Sequence, residues 1–186
     1  KMKIGILGGS FNPAHLGHMK LSLSAIELLD LDSVWWLITK QNPLKSKEEY
    51  LPYDLRIKKA ALIANGTKIK LICTEEETNS TYAIDNLRHI KKKNIHDNFI
   101  YLMGADSFIS LDKWKDYENI FEEVPIAVFN RLGFENHIID SYIGKKYEKY
   151  RLNYNSRGLL YKKNPCWIFI KDFKENISST ELRLEK

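Results

Sequence analysis

Cysteine is scarce in this sequence, with two in 186 residues. Cys73 and Cys166 lie far apart and share no metal-ligand spacing, which excludes a disulfide framework and a cysteine-based zinc site. They read as two reduced thiols of a cytoplasmic protein, with a single disulfide left open. Nine glycines and five prolines are too few for a collagen-like or linker-type chain, and a 44% hydrophobic share excludes intrinsic disorder. No apolar run approaches the ~20 residues that span a bilayer, so no membrane partner is expected. The first residues, Lys1-Met2-Lys3, enter a short apolar stretch that meets Gly8-Gly9 at once, too short for a secretory signal. Arginine is scarce as well. Of 29 basic residues six are arginines, Arg56, Arg88, Arg131, Arg151, Arg157 and Arg183, against 24 acidic residues and a net charge of +5. Nucleic-acid readers use arginine forks on bases and phosphates. A lysine-dominated excess suits a soluble surface or the attraction of small polyanions, and no nucleic-acid partner is expected.

What is present is an alternation of strand and helix within one domain, residues 1–186. A domain of this length buries about 70% of its unfolded surface. Buried strands are predicted at residues 4–7, 34–38, 69–73, 99–103, 126–129 and 167–170, and helices at 16–29, 55–64 and 82–92. In the second helix the apolar face is expected to carry Leu55, Ala60, Leu62 and Ile63. Strands separated by helices of this length imply a Rossmann-like, doubly wound α/β fold, a parallel sheet with helices on both faces. Residues 40–52 form a polar loop with two prolines, of a length common in binding loops. Residues 136–164, rich in Tyr, Lys and Asn, read as an ordinary surface insertion.

Ligands of an open parallel sheet bind beyond the carboxyl ends of its strands, where the strand order reverses. Two strands here end in glycine, one at Gly8-Gly9-Ser10 and one at Gly104-Ala105-Asp106-Ser107. The first tip continues Phe11-Asn12-Pro13-Ala14-His15-Leu16-Gly17-His18. It is neither a P-loop nor the GxGxxG fingerprint. Two imidazoles three residues apart meet the unpaired N–H groups and positive dipole end of a starting helix, which together make a phosphate site. Metal ligation by His15 and His18 is a rival without support from a nearby Cys or Glu. Asn12 is expected to hydrogen-bond its own turn. Near the end of the chain, Ile177-Ser178-Ser179-Thr180-Glu181-Leu182-Arg183 is open to two readings, a capping box or a second oxyanion cradle.

These two segments together resemble the nucleotidylyltransferase superfamily, whose members carry GGxFxPxHxGH early and ISSTxxR late. The order of the intervening segments resembles one branch, the nicotinate-nucleotide adenylyltransferases. Asn42-Pro43-Leu44-Lys45 falls at that branch's PPHK loop, and the segment from Ser80 to Leu87 at its SYTIDTL-like segment. Gly104-Ala105-Asp106-Ser107 with Trp114-Lys115 matches its GAD…KW pattern, and Asn130-Arg131-Leu132-Gly133 its RPG turn. Leu44 stands where the branch has histidine. Ala83 and Asn86 stand where it has threonines, leaving Asp85 as the expected polar anchor there. Relatives usually continue beyond the position of Arg183 into a longer helix.

The resemblance implies transfer of the adenylyl group of ATP to nicotinate mononucleotide. It implies His18, helped by His15, as donors to the ATP phosphates. Gly8, Gly9, Ser10, Phe11, Gly104, Ile177, Ser178, Ser179, Thr180 and Arg183 would bind ATP, with Asp106 accepting from a ribose hydroxyl. Trp114 would stack on the pyridine ring, and Lys45, Tyr82, Asp85 and Arg131 would complete the mononucleotide site. Mg²⁺ would arrive on ATP, with no protein metal site. Other transferases of the superfamily, such as pantetheine-phosphate adenylyltransferase or a cytidylyltransferase, remain rivals. A non-catalytic nucleotide- or RNA-binding module is another, and self-association stays open.

Overall fold

The computed structural model describes residues 1–40, 50–131, 134–171 and 173. Its frame is a seven-stranded, all-parallel sheet of order β3-β2-β1-β4-β5-β7-β6. The strands are β1 (Lys3–Gly9), β2 (Ser33–Ile38), β3 (Ile69–Ile72), β4 (Asn98–Gly104), β5 (Ile126–Phe129), β6 (Arg151–Leu152) and β7 (Trp167–Ile170). Six of the seven coincide with the predicted apolar runs. Such runs have little alternation because both faces of a parallel sheet are covered.

One face carries α1 (Leu16–Leu28) and α2 (Tyr53–Ala64), packed on Leu7, Trp36, Ile100 and Leu102. The other carries α3 (Glu75–Thr78), α4 (Ala83–Lys93), α5 (Ala105–Ile109) and α6 (Tyr117–Glu123). From this group Ile84, Leu87, Phe108 and Phe121 pack on Ile4, Ile6, Tyr101 and Met103. Chain order runs outward from β1 through β2 to β3, then returns to β4 on β1's other side. The strand order therefore reverses between β1 and β4, and their carboxyl ends form the crevice.

Two expectations fail. In α2 the buried residues are Arg56, Ala60 and Ala64, while Leu55 and Leu62 are exposed, the latter at 78%. The buried stripe repeats every four residues from an arginine, because backbone carbonyls rather than carbon surround that position. Residues 136–164 are not a surface insertion. They form α7 (Glu135–Asp140), α8 (Tyr142–Lys146), two 3₁₀ turns and β6, and bury Ile138, Ile143, Tyr147 and Leu160 in the two cores. Their apolar residues are spread over short elements, so no single period marks them. Cys73 is exposed and Cys166 buried, and both are free thiols. Among the described residues no helix is long and apolar enough to cross a membrane.

Candidate active site

The turn after β1 is drawn tight by Phe11, whose φ of +49° is uncommon for a residue with a side chain. Packing supports it: the Phe11 ring lies 5.0 Å from Trp36 and 4.5 Å from His18, centroid to centroid. The chain then enters α1 with His15 as N-cap, its Nδ1 accepting the Gly17 N–H at 2.9 Å. The His15 N–H donates to Nδ1 of His18 at 3.1 Å. This is a capping box built from two imidazoles in place of the usual hydroxyl and carboxylate. With each Nδ1 accepting from the backbone, each ring carries its proton on Nε2. Behind them, the Ser22 hydroxyl donates to the His18 carbonyl at 2.7 Å and accepts from the Trp36 indole at 2.8 Å. Burial, then the neighbouring His15 ring and the Arg131 charge, hold the His18 pKa well below its ordinary value. His18 is a neutral N–H donor at pH 7.

A cavity of about 510 Å³ opens between the tips of β1 and β4. Gly8, Gly9, Ser10, Gly17 and His18 line one side, and Thr81, Tyr82, Ala83, Asn86, Trp114 and Lys115 line another. Tyr101, Gly104, Lys113 and Arg131 are also on the wall. Three formal cations face it and no carboxylate does, among the described residues. At the rim, Arg131 Nε pairs with Asp106 Oδ1 at 3.2 Å. A side chain at Gly104 would begin 2.8 Å from both of those atoms, so it would displace the pair from its present geometry.

Of the residues singled out in the sequence, Gly8, Gly9, Ser10, His18, Tyr82, Gly104, Trp114 and Arg131 meet at this cavity. His15 and Phe11 are buried and do not line it; they hold His18 from behind. Asp85 is also off the wall, its carboxylate taken by the Ser80 hydroxyl at 2.7 Å. The polar anchor of that segment is Asn86 instead. Its Oδ1 accepts from the Thr74 and Thr78 hydroxyls, and its Nδ2 donates to the Ser80 and Tyr82 carbonyls. Asn12 carries its Oδ1 to the Leu51 N–H, 39 residues on, at 2.8 Å, a long-range tie that a local-turn reading misses. Lys45 and the segment Ile177, Ser178, Ser179, Thr180 and Arg183 lie outside the described residues. No group of three His, Cys, Asp or Glu side chains suited to a metal ion occurs among the described residues.

Arg56 is the residue that sequence reasoning missed. It is 1% exposed and donates to four carbonyls: Ser10 and Thr39 at 2.7 Å, Lys40 at 2.6 Å and Leu51 at 3.0 Å. Its guanidinium also packs on the Tyr50 and Tyr53 rings. One side chain thereby joins the β1 turn, the end of β2 and the start of α2. The only signal in the sequence is its place on the stripe shared with Ala60 and Ala64.

The cytidylyltransferase-like family model matches residues 6–185. A probable nicotinate-nucleotide adenylyltransferase of Agrobacterium fabrum is 36% identical over 183 residues, 98% of each chain. The chain belongs to the nicotinate-nucleotide adenylyltransferase family. Its member from Rhizobium meliloti is 33% identical across 100% of this chain and 99% of its own. In fold, a Plasmodium falciparum nicotinic acid mononucleotide adenylyltransferase, solved in complex with NaAD, superposes with a TM-score of 0.69 at 19% identity. That match covers 97% of this chain and 78% of the other.

Proposed function

We propose that the protein transfers the adenylyl group of ATP to nicotinate mononucleotide, releasing pyrophosphate. The observation that carries this is the cavity at the β1/β4 crossover, with cations and neutral N–H donors on its wall and, among the described residues, no carboxylate. Two substrates that together bear four phosphates meet the charge they need there.

The attacking phosphate monoester has a second pKa near 6 and is already an anion at neutral pH. No general base is required, and the site supplies positioning and charge stabilisation instead. His18, with its proton on Nε2, donates to the phosphates where charge builds during transfer. His15 supports that ring from behind, and the glycine turn with Ser10 lets the phosphates approach the backbone. Ser178, Ser179, Thr180 and Arg183 complete the ATP side. Trp114, Tyr82 and Arg131 receive the mononucleotide with Lys45, and Asp106 accepts from a ribose hydroxyl. Mg²⁺ would enter as part of the MgATP substrate, held mainly by the phosphates and water.

The lysine run Lys91-Lys92-Lys93, the stretch most open to an RNA-binding reading, closes α4, with Lys91 paired to Glu123 at 2.8 Å and Lys93 to Glu77 at 3.2 Å.

The test is pyrophosphate release from ATP with nicotinate mononucleotide, nicotinamide mononucleotide or phosphopantetheine. Release with the first, and none with phosphopantetheine, is the expected result. Release with phosphopantetheine alone would assign the chain to another branch.

A further inference from the structure

Tyr101 has a hydroxyl that the fold leaves without work. The side chain stands in the middle of β4 and is 3% exposed. Its hydroxyl has no hydrogen-bond partner among the described residues, yet the residue lines the cavity. The hydroxyl oxygen is not among the side-chain atoms sealed from solvent without a partner, so it is open to the cavity and free to meet a ligand. Burial also raises its pKa, so it stays protonated and is a donor throughout the neutral range.

The surroundings say which substrate it faces. Side chains alternate along a strand, so Ile4, Ile6 and Gly8 of β1 share a face. Tyr101 sits opposite Ile6 in the register and packs in the core on the α4, α5 and α6 side of the sheet. Its ring meets Trp114 edge to face at 6.1 Å. Gly8 makes the space at its tip, because a Cβ there would fall 2.6 Å from the hydroxyl oxygen. The α1 helix and His18 approach from the opposite face. The hydroxyl therefore opens beside Gly8 on the wall that carries Tyr82, Asn86 and Trp114, on the face of the sheet opposite α1 and His18.

We infer that the Tyr101 hydroxyl donates a hydrogen bond to an oxygen of the pyridine mononucleotide and helps select it. The inference rests on the proposed reaction and adds to it a donor on the floor of the mononucleotide side. Gly8 then has two tasks, backbone approach to phosphate on one face and room for this hydroxyl on the other.

Tyr101→Phe removes only that oxygen. The expected result is a KM for nicotinate mononucleotide raised roughly three- to tenfold, the worth of one hydrogen bond. The KM for ATP should stay within twofold. In the absence of substrate, the melting temperature of the variant should equal or exceed that of the parent, since no protein contact is lost. Stabilisation of the variant by added mononucleotide should shrink. A mononucleotide KM within twofold of the parent would overturn the inference while leaving the reaction standing. A lower melting temperature with both KM values raised would also overturn it, by showing a structural hydroxyl. A parent enzyme that releases no pyrophosphate with any pyridine mononucleotide would overturn both.

Discussion

The backbone N–H of His15 donates to Nδ1 of His18 at 3.1 Å. This bond fixes the His18 tautomer, so the contact that helps start α1 also leaves the proton on Nε2 of a ring that lines the cavity. His15 has the matching task through its own Nδ1, which caps the helix. Capping and support of the His18 ring can be separated by substitution. His15→Asn keeps a capping oxygen and should melt within about 0.5 kcal/mol of the parent, while His15→Ala should lose about 1 kcal/mol. Both should lose turnover, because both remove the ring that packs against His18. Thermal melting alongside steady-state kinetics checks the separation.

Arg56 should matter for stability and for ATP together. Arg56→Lys offers one ammonium to four buried carbonyls and leaves at least one of them unpaired. The expected loss is about 2–4 kcal/mol, read in denaturant or heat. The KM for ATP should rise as well, because the Ser10 carbonyl is one of the four. A variant that melts like the parent would show that the carbonyls find water.

Much of this arrangement was legible in the sequence, and the remainder was not for identifiable reasons. Buried parallel strands leave continuous apolar runs, so β1 to β5 and β7 could be read directly. The pair His15 and His18 sits at a glycine turn before a helical period, so its place at a helix start followed. Arg56 and Tyr101 escaped because a lone arginine in a helix reads as solvated and a lone tyrosine in an apolar strand reads as core. Only their surroundings, four carbonyls for one and an open cavity with no partner among the described residues for the other, give them meaning. β6 escaped because two residues at a sheet edge carry no period. Asn86 looked like a weakening departure from a threonine, yet its amide does what one hydroxyl could not, accepting from two hydroxyls and donating to two carbonyls.

The low pKa of His18 has two consequences for pH. Below about pH 6.5 the unfolded chain takes up a proton that the folded ring refuses. The stability contributed by neutral His18 is complete above that pH and is lost as the pH falls below it toward the depressed folded value. The melting temperature of the parent should therefore drop more steeply between pH 6.5 and 5.5 than that of His18→Gln. In kinetics, His18 should not titrate between pH 6 and 8. Any acid limb of kcat/KM near pH 6 belongs to the phosphate of the mononucleotide, and it should persist in His15→Asn.

The central claim is that a neutral imidazole at the start of α1 stabilises charge on the phosphates as they react. Turnover of His18→Ala with saturating ATP and nicotinate mononucleotide tests it most directly. Loss of one such donor should lower kcat by about 10²–10³-fold in a protein that still folds and still binds both substrates. A kcat within tenfold of the parent would contradict it.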